Sequence, residues 1–179
     1  MSTNRYVALL RAVNVGGRSL SMEELRRVVG EAGHDDVTTY IQSGNVLFTA
    51  DRAVPGQVAA DLETRLAALL GAPVAVLLRS AADLAAVVAA NPFEGADPKT
   101  LHVTFLAGGA DPARAAGLRA PPETDDRWAL AGREVYVSCP GGYGRTKLNN
   151  SFFERGLRVA ATTRNWRTVQ TLAARLADS

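Results

Sequence analysis

The sequence has little of several residue types, and each shortage excludes a class of protein. Its 179 residues include one cysteine and two histidines, which excludes an intramolecular disulfide framework and argues against a zinc site. No run of about 18 apolar residues is present, so no membrane-spanning helix is expected. The patterns of a dinucleotide-binding loop, a P-loop, a serine hydrolase and a zinc protease are also missing. We therefore expect a cytoplasmic protein with no metal and no cofactor.

What is present is the composition of a compact folded protein, with 47% hydrophobic and 21% charged residues. The length suits one domain or two small lobes. The basic residues are unevenly placed: between Arg145 and Ser179 seven basic residues stand against two acidic ones, a net charge of +5, whereas the whole chain carries +2. This asymmetry indicates an anionic partner near the C-terminal segment, with a solvated helix face as the alternative.

The hydrophobic pattern of residues 5–79 predicts the order βαββαβ of a ferredoxin-like lobe. Helices are expected after the capping box of Ser21 and Glu24 and from Pro55. A tight hairpin turn is expected at Ser43–Asn45. Four short apolar or alternating runs read as strands: Tyr6–Leu10, Val37–Ile41, Val46–Phe48 and Val74–Leu78.

Residues 80–179 repeat this plan less regularly, so we place the first lobe at 1–79 and the second at 80–179. Helices are expected after the cap formed by Ser80 and Asp83, from about Lys147 and from about Arg164. Between them the sequence predicts the strand Leu101–Phe105, a short helix at 111–118 and the hairpin of Arg127–Leu130 with Glu134–Ser138. If Leu157–Ala161 is extended, the second lobe is also βαββαβ. The predicted fold class is α+β, with two ferredoxin-like lobes, antiparallel sheets and a C-terminal helix.

Polar and glycine-rich segments at the ends of these elements are candidates for binding an anion through glycine N–H groups, amides and cationic side chains. We expect Thr146 to cap a helix, which places Lys147 in its first turn, where a cation is unfavourable unless a bound anion compensates it. The alternatives are glycines that only form turns and a lysine that extends into water. The candidate binding residues are Arg11, Asn14, Gly16, Gly17, Gln42, Ser43, Asn45, Lys147, Asn149, Arg164 and Asn165.

Other residues are not expected to carry chemistry. Cys139 has no histidine near it in sequence and reads as a buried, inert thiol. His34 and His102 have no partner at a metal-ligand spacing, so neither is assigned a metal or catalytic role. Thr162 or Thr163 is expected to cap the last helix, which would leave Arg164 and Asn165 available to a ligand.

Four segments resemble the bacterial domain-of-unknown-function family 1697: Leu9–Gly17, Tyr40–Val46, Thr146–Glu154 and Thr162–Val169. The resemblance spans essentially the whole chain, although each motif alone is weak. It implies an α+β fold of two ferredoxin-like subdomains, which agrees with the pattern above, and it implies no established activity or cofactor.

The separate polar segments share one chemical character, which is typical of a convergent pocket. The favoured function is binding of a small anionic or phosphorylated ligand in a cleft between the lobes, with or without transfer chemistry. The alternative is a nucleic-acid-binding protein that uses its sheet and its basic C-terminal segment, although the RNA-recognition pattern of stacking aromatics is missing. A purely structural or dimerisation module would leave the polar motifs unexplained. No membrane partner is expected.

Overall fold

The structure is a computed structural model that describes residues 3–11, 19–42, 44–51 and 54–178. Within this part of the chain no helix has the length and apolar character needed to cross a membrane. The predicted site residues Asn14, Gly16, Gly17 and Ser43 lie outside the described residues.

The chain divides into two compact units, one formed by residues 1–84 with 174–179 and the other by residues 85–173. The final residues thus group with the first unit, whereas the sequence placed them in the second lobe. Two contacts join Arg175 to residues of the first unit. The Arg5 guanidinium donates to the backbone oxygen of Arg175 at 3.5 Å, and the Arg175 guanidinium lies 4.7 Å from the ring centre of Tyr40.

The first unit contains a four-stranded antiparallel sheet and two helices. Its strands lie in the order β2-β3-β1-β4. This is the ferredoxin-like arrangement, so the predicted βαββαβ order is confirmed. The elements are β1 (Thr3–Leu10), α1 (Met22–Glu31), β2 (Asp35–Thr39), β3 (Asn45–Asp51), α2 (Pro55–Leu70) and β4 (Val76–Ser80).

The helices of this unit begin and end where the sequence predicts. The Glu24 N–H donates to Ser21 Oγ at 3.1 Å, and the Ser21 N–H donates back to the Glu24 carboxylate at 3.0 Å. Pro55 opens α2, and Gly71 ends it with φ = +68°, a conformation that glycine adopts without a steric cost.

One face of the first sheet forms a core with α1 and α2. Val7 and Leu9, predicted in the same sheet, point to its opposite face and are fully buried as well, because neighbouring residues of a strand alternate in direction. The main residues of the core are Tyr6, Ala8, Leu10, Leu25, Val28, Val46, Phe48, Leu62, Leu66, Val76 and Leu78.

The connection between β2 and β3 is longer than predicted. β2 ends at Thr39, and Ile41 has φ = +50° with 50% of its surface exposed, so its prediction as a strand residue is wrong. The Tyr40 N–H donates to the Asn45 carbonyl at 3.1 Å, and Asn45 Nδ2 donates to the Tyr40 carbonyl at 3.1 Å. These bonds hold Ile41 in a left-handed turn that is costly for a β-branched residue.

The second unit repeats the arrangement, with an antiparallel sheet of order β6-β7-β5-β8. The prediction of a second ferredoxin-like lobe followed by a C-terminal helix is therefore confirmed. The remaining elements of the chain are α3 (Ala81–Ala89), β5 (Leu101–Leu106), α4 (Pro112–Gly117), β6 (Arg127–Ala131), β7 (Glu134–Ser138), a 3₁₀ helix (Tyr143–Arg145), α5 (Asn150–Leu157), β8 (Ala161–Asn165) and α6 (Trp166–Ala177).

The predicted positions of the last three elements need correction. Asn149, not Thr146, caps α5, because its side-chain oxygen accepts the Phe152 N–H at 3.0 Å. The last strand begins at Ala161, not at Leu157. Consequently Thr162, Thr163 and Arg164 are strand residues, and neither threonine caps α6. β-branched residues favour strands, and Thr163 accordingly pairs with Thr104 of β5.

The core of the second unit lies between α5 and one face of its sheet. The β6–β7 hairpin contributes the predicted pairs Trp128–Val137 and Leu130–Val135. Val103 and Phe105 of β5 point to the opposite face and have no exposed surface either. The core residues are Leu106, Val135, Val137, Cys139, Leu148, Phe153, Leu157 and Ala161.

Candidate functional site

A basic pocket of about 310 Å³ lies where β5 and β8 pair and α6 begins. His102 of β5 pairs with Asn165, the last residue of β8, so both side chains leave the same face of the sheet. Two cations complete the lining, and none of the described residues that line it is acidic. The pocket, here called the β5–α6 pocket, is lined by Pro98, Lys99, His102, Asn165 and Arg167.

The N-terminus of α6 forms one side of this pocket. Asn165 Oδ1 accepts the Thr168 N–H at 2.8 Å, which makes Asn165 the cap of the helix and leaves its amide N–H₂ free to donate elsewhere. The first N–H groups of a helix have no partner within the helix and carry partial positive charge. Arg167 occupies the second position of α6, where this charge disfavours a cation in the absence of an anion.

Lys99 reaches the pocket from a fixed turn before β5. Asp97 Oδ1 accepts the Lys99 N–H at 2.9 Å, and the Thr100 hydroxyl donates to the Asp97 carbonyl at 2.8 Å. The backbone is therefore held while the lysine side chain stays exposed.

His102 is the buried polar member of the pocket, with only 9% of its surface exposed. Its ring stacks on the Tyr143 ring, with 4.5 Å between centres and 25° between planes. Nδ1 is buried and has no hydrogen-bond partner of good geometry among the described residues. Burial lowers the pKa of His102 below its usual 6.5, and the Thr100 backbone opposes this only in part. The imidazole is therefore neutral at pH 7 and can take up a proton when a negative charge approaches.

A chain of hydrogen bonds supports the same face of the sheet. The Thr104 and Thr163 hydroxyl oxygens lie 2.7 Å apart, and the Thr163 hydroxyl donates to Asn150 Oδ1 at 2.6 Å. These bonds join β5, β8 and the first residue of α5, and so fix the two strands that carry His102 and Asn165.

The other predicted residues of this unit occupy different places. Asn149 is used as a helix cap, as described above. Lys147 precedes α5 and lines a separate cavity with Arg145, so its prediction as a first-turn helical residue is wrong. Arg164 leaves β8 on the face opposite Asn165, beside Val103.

Arg164 is held inside the protein, with 7% of its surface exposed. Its Nη1 donates to Thr162 Oγ1 at 2.7 Å and to the Thr163 carbonyl at 2.9 Å. Burial lowers the pKa of Arg164 to about 10, which leaves the guanidinium protonated at pH 7.

These bonds predict that Arg164 contributes to stability. The Arg164→Met variant keeps most of the apolar stem but removes the charged donor of both hydrogen bonds, a loss that costs about 1–3 kcal/mol. We expect a loss of unfolding free energy in that range by urea denaturation. Arg167 is an exposed residue of α6, so Arg167→Met should change the unfolding free energy by about 0.5 kcal/mol or less. Equal stability of the two variants would contradict the structural role of Arg164.

Three predicted residues of the first unit lie within the described part of the chain. Gln42 is exposed in the β2–β3 loop. Asn45 is fully buried and closes that loop through the Tyr40 carbonyl. Arg11 is half-buried, and its N–H donates to the Ala75 carbonyl at 2.9 Å. The predicted ligand contacts of these three residues stay predictions.

Sequence reasoning missed Lys99, His102 and Arg167. Lys99 carried a signal, because it is one of only two lysines among 20 basic residues. Arg167 lies inside Thr162–Val169, one of the four segments that carry the family resemblance. His102 carried no signal in the sequence, because its place in the pocket depends on the strand pairing that brings it beside Asn165.

Two further observations concern the chemistry available. Burial raises the pKa of the Cys139 thiol, which keeps it protonated. Among the described residues there is no group of three or more histidine, cysteine, aspartate or glutamate side chains placed to hold a metal ion.

Comparison with known proteins supports the fold and gives no activity. The conserved bacterial protein SP0830 from Streptococcus pneumoniae has a solved structure that matches with a TM-score of 0.81 and 24% sequence identity, over 99% of this chain and 100% of that one. A search of curated proteins finds no match. Residues 3–136 match the family described as "Protein of unknown function (DUF1697)". Because that match covers well over half of its length, the chain belongs to the DUF1697 family.

Proposed function

We propose that the second unit binds a small anionic or phosphorylated ligand in the β5–α6 pocket. The observation that carries the proposal is the meeting of Lys99, Arg167 and a helix N-terminus around one cavity, with no acidic side chain among its described lining residues. These groups are the usual recognition elements for phosphate and carboxylate. The cavity is at the small end of the range of roughly 300–1,000 Å³ found for ligand sites, so a compact ligand fits it best.

The burial of His102 supports the same proposal. Its Nδ1 has no hydrogen-bond partner of good geometry among the described residues, and burial keeps the ring neutral. A bound anion favours the protonated ring, which adds a positive charge beside the ligand. Among the lining residues, His102 is also the one that can exchange a proton near neutral pH.

Burial of the sheet argues against the nucleic-acid alternative. A ferredoxin-like sheet that binds RNA presents an open face with aromatic side chains for base stacking. Each sheet of this protein has a central strand with consecutive fully buried residues: Val7–Leu9 in β1 and Val103–Leu106 in β5. Neither face of these two strands is therefore open. We therefore keep the small-ligand proposal alone.

Loss of either cation should weaken anion binding. Lys99→Gln and Arg167→Gln each remove one charged donor, and we expect the Kd for sulfate to rise about tenfold in each case. The measurement is a titration followed by ¹⁵N NMR at low ionic strength, which also reports which backbone amides shift. Arg155→Gln, on the exposed surface of α5, makes the same change in net charge and serves as the control.

The Arg155→Gln control should have a Kd for sulfate within about twofold of the wild-type value, because salt screens the effect of a distant surface charge. An equal loss in all three variants would show non-specific charge attraction and overturn the proposed site. So would shifts confined to amides outside residues 98–102 and 165–168.

Binding should also depend on pH through His102. The free imidazole has a lowered pKa, and a bound anion favours its charged form, so sulfate affinity should increase as pH falls through the bound and then the free pKa. Sulfate keeps its charge over this range, which isolates the histidine. The measurement is an NMR titration of both histidine rings with and without sulfate. The pKa of His102 should rise on binding, while that of His34 in the first unit should stay unchanged. A His102 pKa that sulfate does not move would contradict its place beside the ligand.

A further inference from the structure

A second cavity, of about 340 Å³, lies in the same unit and differs from the β5–α6 pocket in carrying both signs of charge. We call it the mixed-charge cavity. It is lined by Pro121, Pro122, Glu123, Thr124, Arg145 and Lys147.

The walls of this cavity are held in place by hydrogen bonds. On one side, Thr124 Oγ1 accepts the Asp126 N–H at 3.1 Å after two prolines that restrict the backbone. On the other, Thr146 Oγ1 accepts the Leu148 N–H at 3.0 Å. The Thr146 hydroxyl also donates to Asp126 Oδ2 at 2.5 Å and so joins the two walls. The cavity is therefore formed before any ligand arrives.

The two cations reach the cavity from either side of the same threonine. Thr146 has an extended backbone and a buried side chain, whereas its neighbours Arg145 and Lys147 are exposed. Side chains alternate along an extended segment, so Lys147 projects on the side opposite Thr146. Arg145 lines the same cavity from the last residue of the 3₁₀ helix.

The acidic residues opposite are not neutralised by these cations. No hydrogen bond or ion pair among the described residues joins the Glu123 carboxylate to Arg145 or Lys147. An adjoining cavity of about 190 Å³ shares Glu123, Thr124 and Arg145 and adds the carboxylates of Asp125 and Asp126. We call the two adjoining cavities the groove. Lys147 lines only the first cavity and Asp125 only the second, whereas Glu123 and Arg145 line both.

We propose that this groove binds a zwitterionic ligand of the amino-acid or dipeptide class. The ligand carboxylate pairs with Arg145 and Lys147, and its ammonium group pairs with Glu123 and Asp125. A simple anion suits the groove less well because the carboxylates repel it, whereas a ligand with charges of both signs complements both the cations and the carboxylates. The prolines supply apolar surface for the body of the ligand. This site is independent of the β5–α6 pocket.

The test uses dialanine as the probe, together with its N-acetylated and C-amidated forms, in ¹⁵N NMR titrations of the whole chain. We expect dialanine to shift the amides of residues 123–126 and 145–147, and each blocked form to bind about tenfold more weakly, because one charge-assisted contact is lost. Lys147→Gln should weaken dialanine binding and reduce its sensitivity to C-amidation, because Arg145 alone then pairs with the carboxylate. Glu123→Gln should do the same for N-acetylation, and Arg155→Gln should leave both dependences intact.

Three results would overturn the proposal: no shift at residues 123–126 and 145–147, equal binding of blocked and unblocked forms, or variants that keep the wild-type dependence on both blocks. Each leaves the sulfate titration of the β5–α6 pocket unaffected, so failure at one site is distinguishable from failure at the other.

Discussion

Replacing Phe48 with alanine should lower the free energy of unfolding by about 3–5 kcal/mol. Phe48 has no exposed surface in the core of the first unit, where its ring stacks on His34 with 4.7 Å between centres and lies 6.2 Å from that of Tyr6. Truncation removes the buried ring and leaves a cavity that its neighbours on β1 and α2 fill only in part.

The matched control for this variant is Ile41→Ala. The sequence pattern predicts both residues as strand positions of one sheet, but the structure exposes half of Ile41 in a turn. Its replacement should change stability by about 0.5 kcal/mol or less. Chemical denaturation of both variants gives the comparison. Similar losses at the two positions would mean that β2 extends through Ile41 and that the described loop is wrong.

Phe153→Ala should have an effect of the same size, about 3–5 kcal/mol, in the second unit. Phe153 is fully buried on α5 and makes edge contacts with Trp128 at 5.9 Å and with Phe152 at 5.1 Å between ring centres. Because α5 also carries Asn150, which bonds Thr163 of β8, loosening this helix should disturb the strands behind the β5–α6 pocket.

The neighbouring Phe152 provides the comparison for that variant. It is only half-buried, so Phe152→Ala should cost clearly less. Thermal and urea unfolding of the two variants, followed by the intrinsic fluorescence of Trp128 and Trp166, gives both free energies of unfolding. A larger loss for Phe152 than for Phe153 would contradict the packing described for α5.

The fold was largely predictable because local chemistry and hydrophobic period agree along most of the chain. Ser21 with Glu24, Ser80 with Asp83, and Gly71 mark helix ends by side-chain or backbone chemistry that the sequence displays directly. The errors fall where two local signals compete. At Ile41, alternation favoured a strand, while the Asn45 side chain closed a loop instead.

The C-terminal corrections have the same origin. Thr146 has the chemistry of a helix cap, but its hydroxyl bonds to Asp126, twenty residues away in sequence, and Asn149 takes the cap. Thr162 and Thr163 also suit a cap, yet pairing with β5 draws them into a strand. Tertiary partners of this kind leave no trace in a local pattern.

The site was less predictable than the fold because it depends on strand register. Asn165 was found from its polar neighbours, whereas Lys99 and His102 join it only through the β5–β8 pairing. The sequence predicted an anion beside Lys147, because a cation is unfavourable near a helix N-terminus unless an anion compensates it. The same reasoning fits Arg167, once the start of α6 is placed at Trp166.

The most direct test of the proposed anion site is a crystal structure of the protein soaked with tungstate, whose heavy atom is located by its anomalous signal. The account predicts a peak at the N-terminus of α6 within hydrogen-bond distance of the Arg167 guanidinium and the Lys99 ammonium, and its loss in Arg167→Gln. Strong peaks elsewhere on the protein, with none between Lys99 and Arg167, would contradict it.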